Sequence, residues 1–159
     1  MIQVTLITVG TLKEEYWRAA VAEYEKRLRA FCKPEIIQLK ETKLSENPSA
    51  GEIAAALQEE GDRILTAMPP RSYRIALCVE GKQFSSEALA KKLESVLAEN
   101  GNLCLVIGSS YGLAPKVKEA CSLRLSVSEL TFPHQMMRVL LLEAIYRCFG
   151  ILKGTKYHK

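Results

Sequence analysis

The sequence predicts an α/β fold in which a mostly parallel sheet carries helices on both faces. Three observations lead there. Strand-like apolar runs alternate with stretches of helical period along the chain, the pattern of successive βαβ units. Two of those runs, residues 73 to 79 and 103 to 107, are almost continuously apolar, as strands covered on both sides must be. A chain of 159 residues, 48% of them hydrophobic, is long enough for one sizeable core, so a single domain over residues 1–159 is expected.

Residues 2 to 9 favour β-branched types and alternate loosely, a first strand that Gly10 closes. Trp17, Ala20, Val21, Tyr24, Leu28 and Phe31 then recur at steps of three and four, an amphipathic helix that Pro34 is expected to end. At that spacing the aromatic rings read as core rather than as a platform for stacking bases. EIIQL is a second short strand, and the polar KETKLSENPSAG after it is a loop. Ser49 and Glu52 form a capping-box pattern that opens a helix through Ile53, Leu57, Ile64, Leu65 and Met68. Pro69 and Pro70 stop it, and Gly61 weakens its middle.

Residues 73 to 79 make the third strand, followed by a turn at Glu80, Gly81 and Lys82. Ser85 or Ser86 caps the next helix, whose buried stripe holds Leu89, Leu93, Val96 and Leu97 and which ends at Asn100-Gly101. LCLVI is the fourth strand. After a short connection, residues 123 to 128 alternate, with Leu123, Leu125 and Val127 on one side and Arg124, Ser126 and Ser128 on the other. Pro133 opens a last helix over residues 135 to 149, apolar almost all the way round. One apolar face covers a sheet, so the second is expected to meet another copy in a homodimer, the alternative being a central helix within the monomer.

Composition narrows the function. Cys32, Cys78, Cys104, Cys121 and Cys148 are odd in number and never in a CxxC spacing, and His134 and His158 are the only histidines. Neither a disulfide framework nor a metal site is expected, and the cysteines read as small buried hydrophobes of a reducing compartment. MIQVTLITVG lacks the pattern of a leader peptide, and no apolar run approaches the roughly 18–20 residues a bilayer span needs. The expectation is a soluble cytoplasmic protein without a membrane partner. Residues 1 to 133 are balanced in charge, so the net +4 comes from Arg138, Arg147, Lys153, Lys156 and Lys159 against Glu143 alone. A basic end attracts polyanions such as RNA, although a tail that merely aids solubility has the same charge.

In sheets of this kind ligands sit beyond the carboxyl ends of the strands. Three such ends stand out: residues 77 to 82, 107 to 113 and 127 to 132. The loop GSSYGL has glycines at 108 and 112 but neither the dinucleotide fingerprint nor a phosphate-loop spacing, which disfavours nucleotide hydrolases. The free amides that open the last helix would face the same region.

VIGSSYGL, LSVSELTFPHQMMRVLLLEAIYR and the terminal GTKYHK, with IQVTLITVG and EYWRAAVAEYEKRL at the start, resemble the signature blocks of the RlmH family, SPOUT-class methyltransferases of 23S ribosomal RNA. The similarity runs over essentially the full length. It implies a C-terminal trefoil knot, a homodimer, S-adenosylmethionine as cofactor, and methylation of N3 of a pseudouridine in a hairpin loop of the large-subunit RNA. Carried over by position, Leu77, Gly108, Val127, Ser128, Glu129, Leu130, Thr131 and Phe132 would bind the cofactor. Arg138, Tyr157 and His158 would serve the substrate, the last two from a tail that completes the partner's active site. His134 and Glu143 are further titratable candidates near that chemistry, and Glu143 with Arg147 also has the spacing of a surface salt bridge. The chain has Ser109 where the family usually has a second glycine and Lys156 where it often has proline. A ribosome-binding factor that keeps the fold without methyl transfer is the competing reading.

Overall fold

The computed structural model describes residues 1–158. Its elements follow in the order β1 (Gln3–Val9), α1 (Glu15–Leu28), β2 (Lys33–Leu39), α2 (Ala50–Ala67), β3 (Tyr73–Lys82), α3 (Ser86–Asn100), β4 (Leu103–Ile107), α4 (Pro115–Glu119), β5 (Leu123–Leu125) and α5 (His134–Leu152). The five strands form one sheet in the order β2-β1-β4-β3-β5, and every pairing is parallel. This is the expected α/β architecture.

Two apolar layers hold it together, one on each face of the sheet. Val4 and Leu6 of β1, Leu103, Leu105 and Ile107 of β4 and Ile75 of β3 point to the layer built with α1, α3 and α5. Their neighbours Ile7, Val9, Cys104, Val106, Ala76 and Cys78 point to the other, built with α2 and α4. All five residues of β4 are buried because this strand lies at the centre of the sheet with helices above and below. The period-2 geometry of a strand turns a continuous apolar run into cover for both layers.

Local signals set several boundaries. Ser49 Oγ accepts the Glu52 amide at 3.1 Å and Glu52 reaches back to the same hydroxyl, while Ser85 Oγ accepts the Ala88 amide at 3.1 Å. Gly101 closes α3 with φ +75°. Gly61, a weak point by helix propensity, is the place where α4 rests on α2. A Cβ built there would lie 2.9 Å from Lys116 Cε, 3.2 Å from Ala114 Cβ and 3.3 Å from Val117 Cγ2. Gly61→Ala is therefore expected to destabilise the protein by about 1–3 kcal/mol despite alanine's better helix propensity, read as a lower denaturation midpoint.

Four details differ from the expectation. Helix α1 stops at Leu28, and Pro34 lies inside β2, because β2 is an edge strand with β1 as its sole partner and tolerates a missing amide. Glu80, Gly81 and Lys82 are no turn but the end of β3, where a bulge between Leu77 and Lys82 lets Leu125 pair twice. Gly81 is needed there, since a Cβ would come within 2.6 Å of the Leu125 carbonyl carbon. Strand β5 ends at Leu125: the Ser126 amide bonds Lys82 O and its hydroxyl donates to Ser128 O, so the chain leaves the sheet with Ser126 buried rather than facing outward. The connection before it contains α4, which begins on Pro115.

Candidate functional site

The three loops chosen from the sequence converge. At the carboxyl ends of β3, β4 and β5 they enclose a cavity of about 740 Å³, completed by the start of α5. Its lining includes Leu77, Cys78, Val79 and Glu80 from β3, residues 107 to 113 after β4, Ser126, Val127, Ser128, Leu130, Thr131 and Phe132 after β5, and Pro133, His134, Gln135 and Met137. That volume lies within the range of cofactor sites.

Each wall has a local cause. After β4 the chain must reverse within five residues, and the Gly112 amide bonds Ser109 O at 2.9 Å while Gly112 adopts φ +91°. The turn presses so closely on Gly108 that a Cβ there would sit 2.1 Å from Gly112 O. Opposite, Ser128 Oγ accepts the Leu130 amide at 3.0 Å, a side-chain turn that directs Leu130 outward at the cavity rim. Pro133 precedes helix α5 and no side chain among the described residues caps it, so the first amides of a 19-residue helix stay open beside the cavity.

Lys118 and Glu80 form an ion pair on the lining, and that lysine, with its hydrogen bond, holds the Glu80 carboxyl below the usual carboxylate range. Burial keeps the Cys78 thiol high and hence protonated. His134, half-buried in the wall, is lowered from 6.5 first by desolvation and then by the Arg138 charge, with Glu41 opposing. A histidine lowered on folding contributes stability that is complete above its ordinary range and is lost as pH falls through 6.5 towards the lower folded value. Urea midpoints should therefore drop between pH 8 and pH 5, and His134→Gln should flatten part of that slope.

Comparison with known proteins bears on this cavity. The family described as Predicted SPOUT methyltransferase matches residues 2–158. The chain belongs to that family. Relatives named Ribosomal RNA large subunit methyltransferase H, from Streptococcus thermophilus strains CNRZ 1066 and ATCC BAA-250 / LMG 18311, are each 49% identical over 159 residues, covering 99% of this chain and 100% of theirs. The crystal structure of a probable methyltransferase from Bordetella pertussis Tohama I has the same fold, with a TM-score of 0.60 at 15% identity over 93% of this chain and 95% of that one.

Among the residues singled out for cofactor in this SPOUT methyltransferase, Leu77, Gly108, Val127, Ser128, Leu130, Thr131 and Phe132 line the cavity. Glu129 is exposed and outside the lining, since the turn around Ser128 carries it to solvent. Arg138 lies on the inner face of α5, 1% exposed, and Nη2 donates to Val9 O and Gly10 O at 3.0 Å each. It ties α5 to the end of β1 and has no place in the cavity lining. Its Nε and Nη1 are buried without a hydrogen-bond partner among the described residues.

Tyr157 and His158 lie elsewhere on the same chain. After Lys153 the backbone reverses through Gly154 at φ +65°, with Thr155 N bonded to Gly150 O and Gly154 N to Ile151 O, the paired bonds of a Schellman turn. The tail then runs back over α5. The Tyr157 hydroxyl donates to Glu143 Oε2 at 2.9 Å, and its ring meets Tyr146 edge-on at 4.8 Å between centroids, with the Arg147 guanidinium 4.6 Å from its centroid. His158 contacts Glu87 and Arg147. Glu143 and Arg147, which the sequence offers as an ordinary i,i+4 pair, thus form the base on which the tail rests. Glu80 and Tyr111 lie within the strand ends chosen from the sequence, whereas Lys118, Gln135 and Met137 in the cavity wall had no sequence signal, because surface spacing does not reveal which elements meet.

Proposed function

We propose that this chain transfers a methyl group from S-adenosylmethionine to N3 of a pseudouridine in a hairpin loop of 23S ribosomal RNA. It works in the cytoplasm as a homodimer, with a knotted C-terminal half and the basic tail of one protomer serving the partner's cavity. The observation that carries the reading is the cavity walled by three strand ends, in a chain 49% identical to proteins named for methylating large-subunit ribosomal RNA. The lining suits the cofactor. Val79, Val127, Leu130 and Phe132 offer apolar surface for a base, while the open amides at the start of α5 offer polar partners.

When bound, the cofactor supplies a sulfonium-activated methyl group, so the protein's share is to position and to exclude water. The 108–112 turn and the 126–132 segment would clasp the donor, and the holding of reacting groups at the right angle is worth about 7–11 kcal/mol in such transfers. The N3 proton of the target base must also leave. A neutral imidazole such as His134 at the cavity wall can take a proton. Tyr157 and His158 would orient the nucleobase from the partner's side, and Lys153 and Lys156 add attraction for phosphate. The half-buried outer side of α5, with Met136 and Leu140, is the surface on which a second copy would pack.

Mass spectrometry of the large-subunit RNA fragment from cells with and without this gene tests the reading. One methyl group present only with the gene supports it, and an unchanged fragment overturns it. The competing ribosome-binding reading draws on Ser109, which is buried and lines the cavity where the family usually has glycine. It predicts ribosome association with no methyl mark.

A further inference from the structure

We infer that Glu87 is a positioning residue for the tail, acting through His158; this rests on the proposed role of the tail in methyl transfer. Glu87 stands in the first turn of α3, on the opposite side of the tail from α5, and 71 residues from the histidine it holds. His158 Nε2 lies 2.6 Å from Glu87 Oε1, and Nδ1 lies 3.4 Å from Arg147 Nη1. A guanidinium only donates, and an ionised carboxylate only accepts. The two neighbours are therefore both satisfied by one tautomer alone, with the proton on Nε2 donated to Glu87 and the lone pair of Nδ1 facing Arg147. Any other arrangement sets hydrogen against hydrogen at Arg147 or lone pair against lone pair at Glu87.

Glu87 is suited to that task. Its own backbone amide and the bond from His158 hold its carboxyl below the usual range, so it is ionised wherever the enzyme would work. Arg147 is itself fixed by Glu143, 2.6 Å away, and cannot follow the imidazole. Tyr157 is held separately, by Glu143 and Tyr146. The ring orientation of His158 thus depends on Glu87, while the docking of Tyr157 does not. Glu87 touches no part of the cavity and is mostly exposed, so its replacement leaves the core intact.

The test uses the full-length protein, methyl-labelled S-adenosylmethionine and ribosomes lacking the mark. Glu87→Ala is expected to lower kcat about tenfold with the cofactor KM unchanged. Trypsin should also release residues 157–159 faster than from the parent. Glu87→Gln keeps an acceptor for Nε2–H and should restore both to within about threefold of the parent. Equal kcat in Glu87→Ala and parent, or a loss of kcat that Gln does not rescue, overturns the positioning role. So does unchanged tryptic release. If the parent protein itself transfers no methyl group, the proposed function fails first and the role of Glu87 falls with it; an active parent with an indifferent Glu87→Ala removes the positioning role alone.

Discussion

Gly108→Ala is expected to abolish useful binding of S-adenosylmethionine, lowering affinity at least about hundredfold, the equivalent of about 2.8 kcal/mol. The added Cβ would fall 2.1 Å from Gly112 O, 2.6 Å from Gly112 C and 2.9 Å from Leu113 Cδ2. Two of the three obstacles are backbone, so no rotamer change relieves them. The turn from Ser109 to Gly112 must open, and with it one wall of the cavity. Because overpacking typically costs about 1–3 kcal/mol, a fall in melting temperature should accompany the lost binding. Gly101→Ala is the control: that glycine has φ +75° and open space around it, so only the backbone term of about 1 kcal/mol is expected, with binding unchanged. Calorimetric titration of the three proteins with cofactor decides the matter, and parent-like affinity in Gly108→Ala would remove the 108–112 turn from the cofactor site.

Removal of residues 154–159 should reduce methyl transfer to ribosomes at least about hundredfold, because misplacing a reacting group by an ångström already costs that much. The truncation takes away Tyr157, His158 and the cations Lys156 and Lys159 but ends beyond α5, whose packing against α1 and α3 is untouched. None of the described tail residues lines the cavity of its own chain, so each protomer keeps its donor site. Cofactor titration should therefore survive where transfer does not. Transfer at the parent's rate after truncation would exclude the tail from the reaction.

The layers of the fold were readable because each depends on short-range pattern. Continuous apolar runs marked β3 and β4, three- and four-residue recurrence marked α1 to α3, an all-round apolar stretch after Pro133 marked α5, and Ser49, Ser85 and Gly101 marked ends that the structure keeps. Where pattern misled, a long-range contact had intervened. The bulge that carries β3 to Lys82 exists because β5 lies beside it, and Pro34 sits in a strand because that strand is at the sheet edge. Arg138 is instructive in another way. The family resemblance gave it a role in substrate contact, whereas in the folded chain its Nη2 donates to carbonyls 128 and 129 residues away.

By itself the amino-acid order determined the α/β class, the caps, the two-faced burial of the central strands and the three strand ends from which a site could be built. Only the tertiary structure decided that those ends share one cavity, that Glu80 and Lys118 border it, and that the tail lies between Glu87 and Arg147. The reason is one of range. Periodicity and capping report interactions within about four residues, whereas neighbours across the sheet follow from strand order and crossovers, on which local spacing is silent.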